Sequence, residues 1–121
     1  MTRTQRLSRS RDFDAVYRHG RSVSTRHLTL YVFARLDDGE GARLGLVVSR
    51  QAGGAVERNR LKRRLREAFA RTAERVPAGR DYVLIARLGL AEAAESKGLP
   101  WLIERLSEVF SLAAGSGGGR P

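Results

Sequence analysis

The chain has 121 residues, 41% of them apolar, which allows one domain with a modest core and argues against wholesale disorder. It holds no cysteine, which excludes a disulfide frame, a zinc knuckle and a thiol nucleophile, and no apolar run approaches the roughly 18 residues of a membrane span. The net charge of +10 is regional: residues 1–80 carry 19 Lys and Arg against 8 Asp and Glu, and residues 81–121 carry 4 against 5, a bias that suits a polyanion-binding face better than general solubility.

Met1 to Arg11 are rich in Arg, Ser and Thr and free of acids. A helical pattern follows too closely for a transit peptide, so residues 1–9 read as a basic N-terminal arm. Ser10 can cap a short helix, with Asp12 and Asp14 in its first turns, where the helix dipole favours negative charge. Phe13, Val16 and Tyr17 fall on one stripe of that helix, and Gly20 ends it. Taken alone, such a stripe reads as core.

Leu28 to Leu36 alternate as a strand does: Leu28, Leu30, Val32, Ala34 and Leu36 face one way, Thr29, Tyr31, Phe33 and Arg35 the other. The second face, aromatic with a cation, is unusual for a face meant only for water. Asp37 to Gly41 form a turn, and Leu44 to Ser49 are expected as the hairpin partner. Asp37 and Asp38 are turn residues rather than metal ligands. Gly53-Gly54 break the chain before a long helix to about Arg75, with Leu61, Leu65, Ala68, Phe69, Thr72 and Val76 as its buried stripe and Pro77 and Gly79 as its stop. Tyr82 to Leu88 read as a central strand. Leu99 to Ala113 read as a last helix whose apolar side is Trp101, Leu102, Leu106, Val109 and Phe110. Residues 1–114 form the single expected domain and Gly115 to Pro121 a flexible tail. The order is helix, strands, helix, strand, helix, a sheet covered by helices.

The chemistry concentrates in Arg58-Asn59-Arg60-Leu61-Lys62-Arg63-Arg64-Leu65-Arg66, where six of nine residues are basic and none is acidic. At about 100° per residue, Asn59, Lys62, Arg63 and Arg66 project away from the apolar stripe, with Arg58 near one edge and Arg60 beyond the other. Cations at a helix start oppose the dipole and repel one another. The placement makes sense when a partner brings phosphates to the helix N-terminus.

Ser49 to Phe69, centred on Arg58-Asn59-Arg60 followed by Lys62-Arg63, resembles the signature of the bacterial ribonuclease P protein subunit. Asp12 to Val23 resemble that family's first helix and turn, and Tyr82 to Arg87 its last strand. The likeness runs from about Arg6 to Phe110 in family order. Arg50 and Gln51 stand where the family usually has two lysines, and Glu57 where an apolar residue is common. The resemblance implies an α+β fold, an α/β sandwich with a small mixed sheet, helices packed on it and a left-handed βαβ crossover, against the usual right-handed rule. It also implies a ribonucleoprotein that removes the 5′ leader of precursor tRNA, with hydrolysis on the RNA subunit. By that correspondence Arg58, Asn59, Arg60, Lys62 and Arg63, extended by Arg66, dock on the catalytic RNA, while Phe13, Tyr17 and Tyr31, with Arg50, form the cleft for the single-stranded leader. The aromatics suit such a groove physically, and Phe33 reads as either groove or core. No catalytic residue and no cofactor is expected in the chain itself. Magnesium is expected on the RNA subunit, with one protein per RNA, no membrane partner and a bacterial cytoplasmic location.

A ribosomal or other structural RNA-binding protein shares the charge and a similar fold. A self-sufficient nuclease needs paired carboxylates or His near a metal. His19 and His27, in or beside turns, read as surface residues. The aromatic signature of an RNA-recognition-motif domain is missing, and charge alone leaves a DNA-binding helix open.

Overall fold

The computed structural model describes residues 5–7, 10–34, 42–72 and 80–119, with Gln5 and the last six as backbone alone. The elements are β1 (Gln5–Arg6), α1 (Ser10–His19), β2 (Arg21–Ser24), β3 (Leu28–Ala34), β4 (Arg43–Val48), a short 3-10 turn (Arg50–Ala52), α2 (Ala55–Thr72), β5 (Arg80–Ala86), α3 (Leu90–Lys97) and α4 (Leu99–Gly119). The five strands form one mixed sheet in the order β1-β4-β5-β3-β2. β5 lies at its centre, parallel to β4 and antiparallel to β3. Val83 and Leu84 on β5 point to opposite faces and both are fully buried, as a strand covered on both sides requires.

One face of the sheet carries most of the core. Leu28 and Leu30 of β3 and Leu84 of β5 meet Leu61 and Leu65 of α2 and Leu102 and Leu106 of α4. Phe69, Tyr82 and Phe110 form an aromatic triangle with centroids 5.2–6.0 Å apart. Burial pushes the Tyr82 phenol up to about 12. Among the described residues the helix on the other face is α1, over a smaller cluster of Leu7, Val16 and Val83. Gly20 lets α1 end hard against β3: a Cβ there would lie 2.5 Å from the Val16 carbonyl oxygen and 2.7 Å from that of Val32.

Several expectations need correction. β4 is not the hairpin partner of β3, because β5 inserts between them and β4 pairs parallel with both β5 and β1. A strand apolar on both faces gains most at the sheet centre, and that outweighs the local pattern of strand, acidic turn, strand. The turn itself, Asp37–Gly41, lies outside the described residues, as do Leu36, Val76, Pro77 and Gly79. The N-terminal segment is not wholly an arm: Gln5–Arg6 pair with Arg43–Leu44, and Leu7 is buried against Val16 and Val83. α4 continues to Gly119 instead of ending at Ala113, so its backbone is helical over residues 115–119 of the expected flexible tail. β2 and α3 are additions that the sequence pattern does not predict. No helix of the described residues is long and apolar enough to cross a membrane.

Candidate nucleic-acid interface

The sheet face under α1 is floored in rows by the strand register. Ser22, Tyr31, Val83 and Gly45 form one row, and Ser24, Thr29, Ile85 and Val47 the next. α1 lies over the first row. Val16 is its buried anchor, and Phe13 rests on Gly45, where an added Cβ would come within 2.6 Å of the Phe13 Cζ. A side chain at this position would force the Phe13 ring to shift. Tyr17 is 40% exposed, stands edge-on to Tyr31 at 5.0 Å and lies 6.3 Å from Phe13. Burial and the neighbouring Tyr31 raise the Tyr17 phenol above its ordinary value, so it remains a hydrogen-bond donor at neutral pH.

Beyond α1 the second row carries a Ser24–Thr29 hydroxyl pair at 2.9 Å next to the half-buried Ile85 and Val47. The result is a sheet surface beside α1 with aromatic, apolar and hydroxyl groups. Phe33 is half-buried near His19, whose ring lies 6.2 Å away. Arg50 is exposed in the turn after β4, which Ser49 caps by accepting the Gln51 N–H at 3.2 Å.

The start of α1 is tied to the sheet by charge. Asp81, 1% exposed on β5, accepts two hydrogen bonds from Arg43 at 2.7 and 2.6 Å, and Arg43 lies 3.6 Å from Asp12. The same guanidinium therefore joins β4, β5 and α1.

On α2 the buried stripe follows the sequence reading over Leu61, Leu65, Ala68, Phe69 and Thr72. The cations divide between two flanks. Arg60 and Arg64 reach Glu95 of α3, each at 3.2 Å. Arg66 faces the opposite way, toward Arg6 on β1. Burial first and Arg6 second pull Arg66 below the ordinary guanidinium value. Arg58 and Arg66 each bury an Nε with no hydrogen-bond partner among the described residues. Asn59 and Arg63 are exposed and Lys62 is half-buried. Like charges facing one another, with donors left over, are relieved by a bound anion. The tie of Arg60 to Glu95 was not legible in the sequence, because Glu95 sits on the unexpected α3. His27, expected at the surface, is half-buried against Trp101.

A family model described as Ribonuclease P matches residues 1–107. The chain belongs to the ribonuclease P protein family. The ribonuclease P protein component of an Exiguobacterium species is 40% identical over 113 residues, covering 93% of each chain. That of Acidothermus cellulolyticus is 42% identical over 101 residues, covering 84% of this chain and 83% of its own. Among solved structures, the RNase P protein from Thermotoga maritima superposes with a TM-score of 0.78 at 33% identity, covering 88% of this chain and 94% of that one. The Staphylococcus aureus RNase P protein gives 0.74 at 29% identity, covering 92% and 96%. The α+β fold is thus that of ribonuclease P proteins. As a member of this family the chain is the protein subunit of an endoribonuclease complex, acts in tRNA processing and has an RNA subunit as partner. Among the described residues no three Asp, Glu or His side chains gather as a metal-binding group.

Proposed function

We propose that this chain docks on the catalytic RNA of ribonuclease P through α2, one protein per RNA, and holds the single-stranded 5′ leader of precursor tRNA in the cleft between α1 and the sheet. Hydrolysis, with the magnesium it uses, belongs to the RNA subunit in the bacterial cytoplasm, and the chain contributes binding and positioning. The observation that carries the reading is the aromatic cluster of α1 and β3. Phe13, Tyr17 and Tyr31 are assembled on a face that a purely structural sheet would cover or make polar, and Tyr17 is left accessible. Aromatic platforms beside cations are how single strands are held without strict sequence readout. On α2, Arg58, Lys62, Arg63 and Arg66 supply cations for phosphates, and Asn59 an amide. Arg60 reaches RNA only by sharing or leaving Glu95.

The test is Tyr17→Ala in the assembled ribonucleoprotein. Base stacking is worth about 1–3 kcal/mol, so affinity for leader-bearing precursor should fall roughly 5- to 150-fold while affinity for mature tRNA stays within about twofold. Equal losses for both ligands would assign Tyr17 to the core.

A further inference from the structure

A hollow of about 450 Å³ opens between the β2–β3 turn, the β5–α3 turn, α3 and the start of α4. Arg26, His27, Leu88, Lys97, Trp101 and Arg105 border it. Its lining holds three cations, Arg26, Lys97 and Arg105, against one acid, Glu92. Residues 81–121 carry 4 cations against 5 acids, yet Lys97 and Arg105 meet Arg26 here, and Arg87 stands beside them, donating to the Thr25 carbonyl at 3.2 Å. Glu104 and Glu108 hold Arg105 at 3.8 Å. Arg26 and Lys97, both exposed, have no acidic partner within ion-pair distance among the described residues.

Trp101, the only tryptophan of the chain, is half-buried on the wall of this hollow, with the Arg105 guanidinium 5.5 Å from its ring centroid and His27 edge-on at 5.1 Å. Leu88, 80% exposed, forms an apolar lip that no fold requirement explains. His27 reports the local field: burial, then Arg26 and Arg105, with Lys97 adding and Glu108 opposing, lower its pKa. Glu92 borders both this hollow and the groove where Arg60 and Arg64 meet Glu95. One short helix, about 10 Å across, therefore separates the hollow from the basic helix α2.

We infer that the hollow is a second RNA site, which takes an unstacked base against Trp101 and Leu88 with its phosphates on Arg26 and Lys97, and that the strand it holds belongs to the RNA docked on α2. The last clause rests on the docking proposed above. An aromatic wall beside unpaired cations is the combination that binds a nucleotide, whereas phosphate alone would need no indole and a purely apolar ligand no cations.

The test uses the whole protein, the fluorescence of its single tryptophan and the NMR titration of His27. The probe is single-stranded hexaadenylate, with adenosine and inorganic phosphate as separate arms. Hexaadenylate should quench Trp101 to saturation and raise the His27 pKa, and each half-ligand should act at least about tenfold more weakly. Arg26→Ala with Lys97→Ala should shift half-saturation about tenfold upward, and should lower affinity for the RNA subunit roughly twentyfold near 0.15 M salt. The inference is overturned if hexaadenylate binds by anisotropy without quenching Trp101, if the double variant quenches like the parent, or if phosphate alone reproduces the His27 shift while no oligonucleotide quenches. Lys62→Ala with Arg63→Ala separates the two readings. Unchanged RNA-subunit affinity in that variant sinks the docking on α2, whereas the quench speaks only to the hollow.

Discussion

Arg43→Ala lowers the unfolding free energy by about 1–3 kcal/mol, the cost of taking the bidentate donor from a buried carboxylate in a part-buried ion pair. Asp81 is 1% exposed at the centre of the sheet and takes both hydrogen bonds of the Arg43 fork. Losing the guanidinium strips a buried carboxylate of that bidentate partner, and less of the desolvation cost of the charge is then offset. Total stability for a chain of this length is roughly 6–18 kcal/mol at 0.05–0.15 kcal/mol per residue, so the loss is an appreciable fraction of the whole. Arg43→Lys keeps the charge but not the fork, and falls between. Because Arg43 also lies beside Asp12, its removal loosens the end of α1 that seats Phe13. Urea unfolding of the two variants measures this directly. A loss below about 1 kcal/mol in Arg43→Ala would place the pair with ordinary surface ion pairs.

Replacing Arg58, Lys62 and Arg63 together by Ala lowers affinity for the RNA subunit about a hundredfold near 0.15 M salt. Every phosphate that α2 no longer neutralises flattens the slope of log affinity against log salt by roughly 0.7–0.9, or about two to three in all. Arg60→Ala alone has a smaller effect, because Arg60 and Arg64 share Glu95, which offsets one of their two charges. Filter binding across a salt series separates the two. An unchanged slope in the triple variant would show that α2 does not meet phosphate.

The parts of the fold that sequence made legible are those decided by periodicity within one segment. The stripe of α2, the inward face of β3 and the two-sided burial of β5 all follow from spacing. The rest depended on distant partners. The hairpin reading of β3 and β4 failed because the segment between them in the sheet, β5, lies some forty residues further along the chain. β1 holds only two residues, paired beside a Leu7 that finds Val16 and Val83, and nothing local marks it among arginines. β2 has one half-buried residue, Val23, and so no alternation to read. α3 starts after Gly89 in the left-handed region with no side-chain cap, leaving Leu90 and Ala94 at i and i+4 as its only signal. For the interface, the aromatics of the cleft could be picked by residue type and family likeness, but that Val16 rather than Tyr17 carries the burial is a property of the packed structure. The hollow at Trp101 draws on four separate segments, and no pattern in any one of them announces it.

The central claim is that the chain supplies binding to a reaction carried by RNA. The measurement that tests it most directly is cleavage of precursor tRNA at low magnesium by the RNA subunit alone, by the purified protein alone and by the two together. The account predicts little activity from either component by itself and correct 5′ cleavage from the pair, with the gain over RNA alone diminished for Tyr17→Ala and for the α2 triple variant. RNA-free protein that cuts at the mature 5′ end, with activity following the protein peak, would contradict it, and so would a pair no more active than the RNA alone.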